Sequence, residues 1–209
     1  LASVERFASR YAAQPGPADI ARDMTILTYD VLAETLFSGE IAGEANAFQR
    51  EVDRLFETMG RVDPLDLLGA PDWLPRLTRL RGRKALAFFR RIVTDTMAMR
   101  RARLAADGAA PQDFLTLLLA TAGPDGLSDA EIEDNIITFI GAGHETTARA
   151  LGWTLYLLSQ APWERARVEA EIDALMADPP PPEAWLDAMP VTRAAFEEAM
   201  RLYPPAPSI

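Results

Sequence analysis

The 209-residue chain has no cysteine and a single histidine. Without thiols its own residues can form no disulfide, no cysteine-ligated zinc site and no iron–sulfur cluster. Long apolar runs are missing too. The longest candidate, 136–158, is interrupted by Glu145, Arg149 and several threonines, so no run reaches the roughly 18–20 residues that a membrane span requires. Positive charge is in deficit. Lys and Arg number 21 against 31 Asp and Glu, a formal charge of −10, which argues against nucleic acid as a partner because phosphate binding needs a basic footprint. No secretory signal is visible. The first residue is Leu1 rather than methionine, in sequence that reads as mid-helix, so the expectation is an N-terminally truncated chain whose upstream anchor, if any, is left open.

What is present is helical. At 49% hydrophobic residues the chain can bury one substantial core. Short helices are expected over 1–12 and 44–60, flanking a longer one over 19–37. In that longer helix Ile20, Met24, Leu27, Val31, Leu32 and Leu36 recur at three- and four-residue intervals, which marks one buried face. A Pro- and Trp-bearing loop, 64–75, leads into a basic helix of about 77–105, and 111–121 reads as another with Pro111 in its first turn. The basic stretch carries Arg76, Arg79, Arg81, Arg83, Lys84, Arg90, Arg91, Arg100, Arg101 and Arg103 against Asp95 alone. A solvated helix face is the plain expectation there, and a docking surface for an acidic partner the alternative.

The next helix is the longest. Ser128 and Glu131 form a capping box, Ile132, Ile136, Phe139, Ile140, Leu151, Leu155 and Leu158 continue the apolar pattern, and Pro162 ends it. About 32 residues, 129–160, span roughly 48 Å at 1.5 Å per residue. Helices over 162–176 and 191–202 follow, joined by the rigid connector Pro179–Pro182; Pro204 and Pro205 stop the last one. Tyr203 to Ile209 read as the start of an extended strand. The expectation is therefore a mostly α chain, a single domain over 1–209 that is incomplete at both ends.

Chemistry concentrates in Gly141-Ala142-Gly143-His144-Glu145-Thr146-Thr147, halfway along the long helix. Each glycine costs a helix about 1 kcal/mol relative to alanine. Such a cost is tolerable where a flat cofactor approaches the backbone or where another helix crosses closely, and spacing alone leaves both open. Thr138, Ala142 and Thr146 share one face with Glu145 beside it, and the Thr146 hydroxyl can return to the Ala142 carbonyl. His144 is not expected to bind metal. A di-iron bundle would place a glutamate three residues before the histidine, and Ala148 stands where a HExxH zinc site needs its second histidine. Further on, Glu198 and Arg201 lie one helical turn apart and can pair.

Two of these segments together resemble the cytochrome P450 family. Ala142-Gly143-His144-Glu145-Thr146-Thr147 matches its central-helix pattern of small residue, glycine, any residue, acid, threonine and threonine or serine. Glu198-Ala199-Met200-Arg201 matches its glutamate-x-x-arginine signature, and Tyr203-Pro204-Pro205-Ala206-Pro207 its proline-rich exit. The stretch Leu27-Thr28-Tyr29-Asp30-Val31 is similar to an early core helix of the family. The resemblance covers essentially the whole chain but only the middle of the family's length.

The resemblance implies a multihelical, partial P450-type fold. It also implies haem b, ligated by a cysteine outside these residues, so that 1–209 by themselves hold no metal ligand and are inactive. Ala142 and Gly143 would face the distal side of the haem, Thr146 would hydrogen-bond dioxygen or an ordered water, and Glu145 would relay protons. Thr138, Ala206 and Ser208 are the substrate-contact candidates, Ala206 and Ser208 through the strand that lines the family's pocket. Glu198 and Arg201 would be structural, joining a downstream arginine. The implied activity inserts one oxygen atom from O2 into an organic, apolar small molecule. Electrons would come from NAD(P)H through a ferredoxin- or flavin-type reductase partner, in a bacterial cytoplasmic enzyme. A non-catalytic helical module, a relic without the haem ligand, is the competing expectation.

Overall fold

The computed structural model describes residues 2–13, 16–40, 77–107 and 110–206, with the side chains of 77–85 and 107 left aside. The helix expected over 44–60, the loop 64–75, and Ser208 lie outside the described residues. Among the described residues there are eight α-helices and no strand. They are α1 (Ala2–Ala12), α2 (Ile20–Phe37), α3 (Leu77–Asp107), α4 (Phe114–Ala120), α5 (Asp129–Gln160), α6 (Pro162–Ala177), α7 (Trp185–Ala188) and α8 (Pro190–Leu202). One isolated parallel bridge joins Ala122 to Leu127, and residues 203–206 form no strand.

The chain divides into two compact units, one of residues 30–142 and one of residues 1–29 with 143–209. In the first, the core is built from Phe37, Phe89, Ile92, Val93, Met97, Leu115, Leu119, Ile132, Ile136 and Ile140. Helix α4 packs on α3. It starts later than Pro111 suggests, because Asp113 is its N-cap: the carboxylate accepts the Thr116 N–H at 3.0 Å, leaving Pro111 ahead of the helix. An N-cap carboxylate satisfies a donor that no intrahelical carbonyl reaches, and so fixes where the helix begins.

The same carboxylate belongs to a buried ionic cluster that takes Arg100, though not the exposed cations around it, out of the solvated basic face expected of α3. Arg100 is 1% exposed. Its guanidinium donates to Asp113 Oδ1 at 2.6 Å, Thr116 Oγ1 at 2.6 Å and the Phe37 carbonyl at 3.0 Å, and to Glu40 at 3.2 Å. Ser38 adds a hydrogen bond to Asp113 Oδ2 at 2.8 Å. Burial alone would raise the Asp113 carboxyl, but hydrogen bonds from Arg100, the Thr116 N–H, and the Ser38 and Thr116 hydroxyls outweigh it and hold the group at about 2. The cluster ties down the end of α2, where Ser38 and Gly39 adopt positive φ of 53° and 75° and break the helix. Other α3 cations also pair within the chain: Arg90 with Asp134 at 2.7 Å, Arg101 with both Asp129 oxygens at 2.5 and 2.7 Å, and Arg103 with Glu40. Arg91, 84% exposed and 3.8 Å from Asp95, behaves as the solvated face predicts.

In the second unit α8 packs on α6 and on α7. Glu171, on α6, caps α8 from outside: its carboxylate accepts the N–H groups of Val191 and Thr192 at 2.8 and 2.7 Å and the Thr192 hydroxyl at 2.7 Å. That takes over the role of an N-cap side chain, since Met189 makes no cap hydrogen bond. The end of α5 joins α6 and α8 around an apolar groove of about 600 Å³ that includes Leu157, Val168, Val191 and Leu202. Tyr203 stacks on Trp153 of α5, ring centroids 4.0 Å apart and 8° from parallel. In α2 the deepest residues are Met24, Thr28, Tyr29 and Phe37, while Leu27, Val31, Leu32 and Leu36 are only half-buried. Thr28 is tolerated there because its hydroxyl donates to the Met24 carbonyl at 2.8 Å.

Candidate active site

Helix α5 begins with the expected capping box. The Ser128 hydroxyl and N–H both reach the Glu131 carboxylate, at 2.7 and 2.8 Å, and the Glu131 N–H returns to Ser128 Oγ at 3.3 Å. From there the helix has two distinct sides. Ile132, Ile136, Ile140, His144 and Ala148 recur every four residues and are all buried. Thr138, Phe139, Ala142, Gly143, Thr146 and Thr147 are all exposed. At about 100° per residue, Ala142 and Thr146 each sit about 160° around the axis from His144. One side of the turn is therefore core and the opposite side is open.

Within the open side the local contacts are specific. The Thr138 hydroxyl donates to the Asp134 carbonyl at 2.7 Å and the Thr147 hydroxyl to the Gly143 carbonyl at 2.8 Å. A methyl group added at Gly141 would meet no atom within 4 Å, so no neighbouring helix of the described chain requires a glycine there. Of the two explanations the sequence leaves open for the glycines, close crossing by another helix finds no support at Gly141 among the described residues.

Glu145 lies at the edge of this side with its side chain 16% exposed, against 58% for that of Arg149. Arg149 Nε donates to Glu145 Oε1 at 2.8 Å, and Nη2 donates to the same oxygen. Sequence reasoning passed over Arg149, although acid and guanidinium four residues apart on a helix is itself a readable pairing signal. His144 is 1% exposed and meets the edge of the Tyr29 ring, centroids 6.4 Å apart at 79°. No cluster of three potential metal-ligating side chains occurs among the described residues.

The remaining site candidates stand elsewhere. Arg201 donates to both oxygens of Glu198, at 2.7 and 2.6 Å. The pair lies exposed on α8, and the guanidinium holds the Glu198 carboxyl below the usual carboxylate range. Ala206 is exposed at the end of the described chain.

The sequence model of the family described as cytochrome P450 matches residues 4–209. The chain belongs to the cytochrome P450 family. Among its curated relatives, cyclooctat-9-en-7-ol 5-monooxygenase of Streptomyces melanosporofaciens is 35% identical over 197 residues, 92% of this chain and 42% of the relative. Pentalenene oxygenase of Streptomyces avermitilis is 35% identical over 179 residues, 84% of this chain and 38% of the relative. The crystal structure of a cytochrome P450 (CYP102L1) superposes with a TM-score of 0.76 at 25% identity, covering 99% of this chain and 45% of that one. The P450 chain described here thus spans about two fifths of the length of the proteins it matches. The mostly helical fold with its 32-residue central helix is the P450 architecture. No helix among the described residues is long and apolar enough to cross a membrane.

Proposed function

We propose that these residues supply the distal wall of the haem site in a P450 monooxygenase that hydroxylates an apolar small molecule. The observation that carries this reading is the open side of α5. Its small and hydroxyl-bearing residues face away from the core, directly behind the buried stripe that holds the helix in place. A flat macrocycle fits such a surface, since Ala142 and Gly143 project almost nothing from the backbone and, among the described residues, nothing packs against Gly141 closely enough to need a glycine. Residues 1–209 contain no cysteine, so a thiolate ligand would have to be supplied from outside them. Two relatives named for the oxygenation of an alkene and an alkenol support an apolar substrate.

Haem b bound against these residues would supply the redox chemistry, in which O2, two electrons and two protons convert a substrate C–H to C–OH and release water. Electrons come from NAD(P)H through a reductase. This chain's part is positional and acid–base. Ala142 and Gly143 leave room for dioxygen. The Thr146 hydroxyl hydrogen-bonds dioxygen or an ordered water beside it. Glu145 takes a proton from solvent onto its carboxylate and passes it to that water, returning to the carboxylate, a general-acid role that is commonly worth about 10²–10⁴-fold. Thr138, one turn before Ala142, contacts the substrate, with Ala206 and Ser208 at the pocket edge. Glu198 and Arg201 brace the fold.

The full-length protein tests this directly. Its reduced, carbon-monoxide-bound form should show the thiolate-ligated Soret band. Thr146→Ala should keep that band while lowering product formed per NAD(P)H consumed. A full-length protein without the band would be a non-catalytic helical module, and parental coupling in Thr146→Ala would remove the role given to Thr146.

A further inference from the structure

The assignment of Glu145 as proton carrier leaves open what aims its carboxylate, and the structure offers one partner for it. Arg149 holds Glu145 through Nε and Nη2, both on Oε1. The acid is mostly buried and the guanidinium mostly exposed, so the pair runs from the helix edge outward to solvent. Side chains of a helix lean toward its N-terminus, and Arg149 therefore covers the turn containing Glu145. On the helical wheel Arg149 stands about 60° from Thr146 and about 20° from Ala142, on the open side. Arginine stays protonated under all working conditions and cannot itself pass a proton.

We propose that Arg149 is a positioning residue for proton delivery. By taking both hydrogen bonds on Oε1 it sets the rotamer of Glu145 and directs the second oxygen, Oε2, as the one that takes up and gives out the proton. It also keeps the Glu145 carboxyl, where the proton is taken up, beside a guanidinium that reaches out to solvent. Such a pair, spaced by four residues and open to water on one side, is weak and screened by salt, so it can release and re-form in every turnover. The proposal rests on the role of Glu145 given above, and it is separable from it.

The test is a double-mutant cycle in the full-length holoenzyme with Arg149→Met, Arg149→Lys, Glu145→Gln and the Glu145→Gln/Arg149→Met combination. Two quantities are read: product per NAD(P)H, and the solvent deuterium isotope effect on turnover. Arg149→Met should lower coupling by up to about twofold, the size set by one pair at this spacing, and should raise the isotope effect. Lysine should restore part of both. In the Glu145→Gln background Arg149→Met should change neither, because its effect passes through Glu145. Equal effects of Arg149→Met in both backgrounds, or none in the parental one while Glu145→Gln is impaired, overturn the positioning role. If Glu145→Gln itself is unimpaired, the proton-carrier assignment fails instead. Arg149 is exposed, so loss of folding does not obscure the result; the Soret band of each variant's reduced carbon-monoxide complex checks this.

Discussion

Replacing Arg100 by Met removes a charge from the least accessible polar position of α3 while keeping most of the side-chain volume. In the parent, the guanidinium makes hydrogen bonds to Asp113, Thr116, the Phe37 carbonyl and Glu40. Without it, Asp113, whose side chain is 4% exposed, keeps Ser38 at 2.8 Å and the Thr116 N–H at 3.0 Å but loses its counter-charge. Removing one partner of a buried ion pair costs about 3–5 kcal/mol, most of it the penalty of an uncompensated charge. Part of that cost depends on pH. The Asp113 carboxyl is lowered from 3.8 to about 2, worth roughly 2 kcal/mol of native stability. The folded value lies below the unfolded one, so this contribution is complete above about pH 4 and is lost as pH falls through about 2. The assay is the difference in thermal midpoint between parent and Arg100→Met, measured from pH 7 down to the lowest pH at which both stay folded. The difference should be large at pH 7 and should narrow on acidification below 4, as Asp113 protonates in both proteins. Equal midpoints at pH 7, or a gap that stays constant with acidification, would refute the account of a buried, charge-compensated cluster.

Two further outcomes are expected. Glu171→Ala should lower the thermal midpoint by uncapping α8; and although burial tends to raise the Glu171 carboxyl, the Thr192 hydroxyl and the Val191 and Thr192 N–H groups hold it below its usual value. Its contribution is therefore present above the ordinary glutamate range and fades as pH falls through the lowered value, which a pH series of midpoints for parent and variant detects. Gly141→Ala should stabilise α5 by up to about 1 kcal/mol, because the added methyl meets nothing within 4 Å; a lower midpoint in denaturant would show that something approaches that backbone.

The sequence reveals α5 well because its signals are local. The Ser128–Glu131 box, the four-residue spacing of the isoleucines and Pro162 all act within a few residues of the boundaries they set. The open side with Ala142, Gly143, Glu145 and Thr146 follows from the same periodicity. Arg100 is illegible for the opposite reason. It stands among basic residues that look solvated, and its partners Phe37, Glu40 and Asp113 lie 63, 60 and 13 residues away. The burial of His144 is likewise hard to read from its polar neighbours, while the four-residue stripe of α5 places it at the edge of the Tyr29 ring. The α8 cap from Glu171 is hidden because the acid sits 20 residues earlier, on another helix. The short α7, after the proline connector, escapes notice because four residues are too few to show a period.

The division of α5 into a core side and an open side has a consequence for how this segment can diverge. Single substitutions at 138, 142 or 146 leave the isoleucine stripe untouched, so the open side can drift in chemistry without disturbing the scaffold. Inserting or deleting one residue anywhere between Ile132 and Ala148 is another matter. It would turn everything downstream by about 100°, swinging the stripe residues beyond it, Ala148 among them, away from the hydrophobic interior. Length over these seventeen positions is therefore the rigid variable, and identity on the outward side the adjustable one.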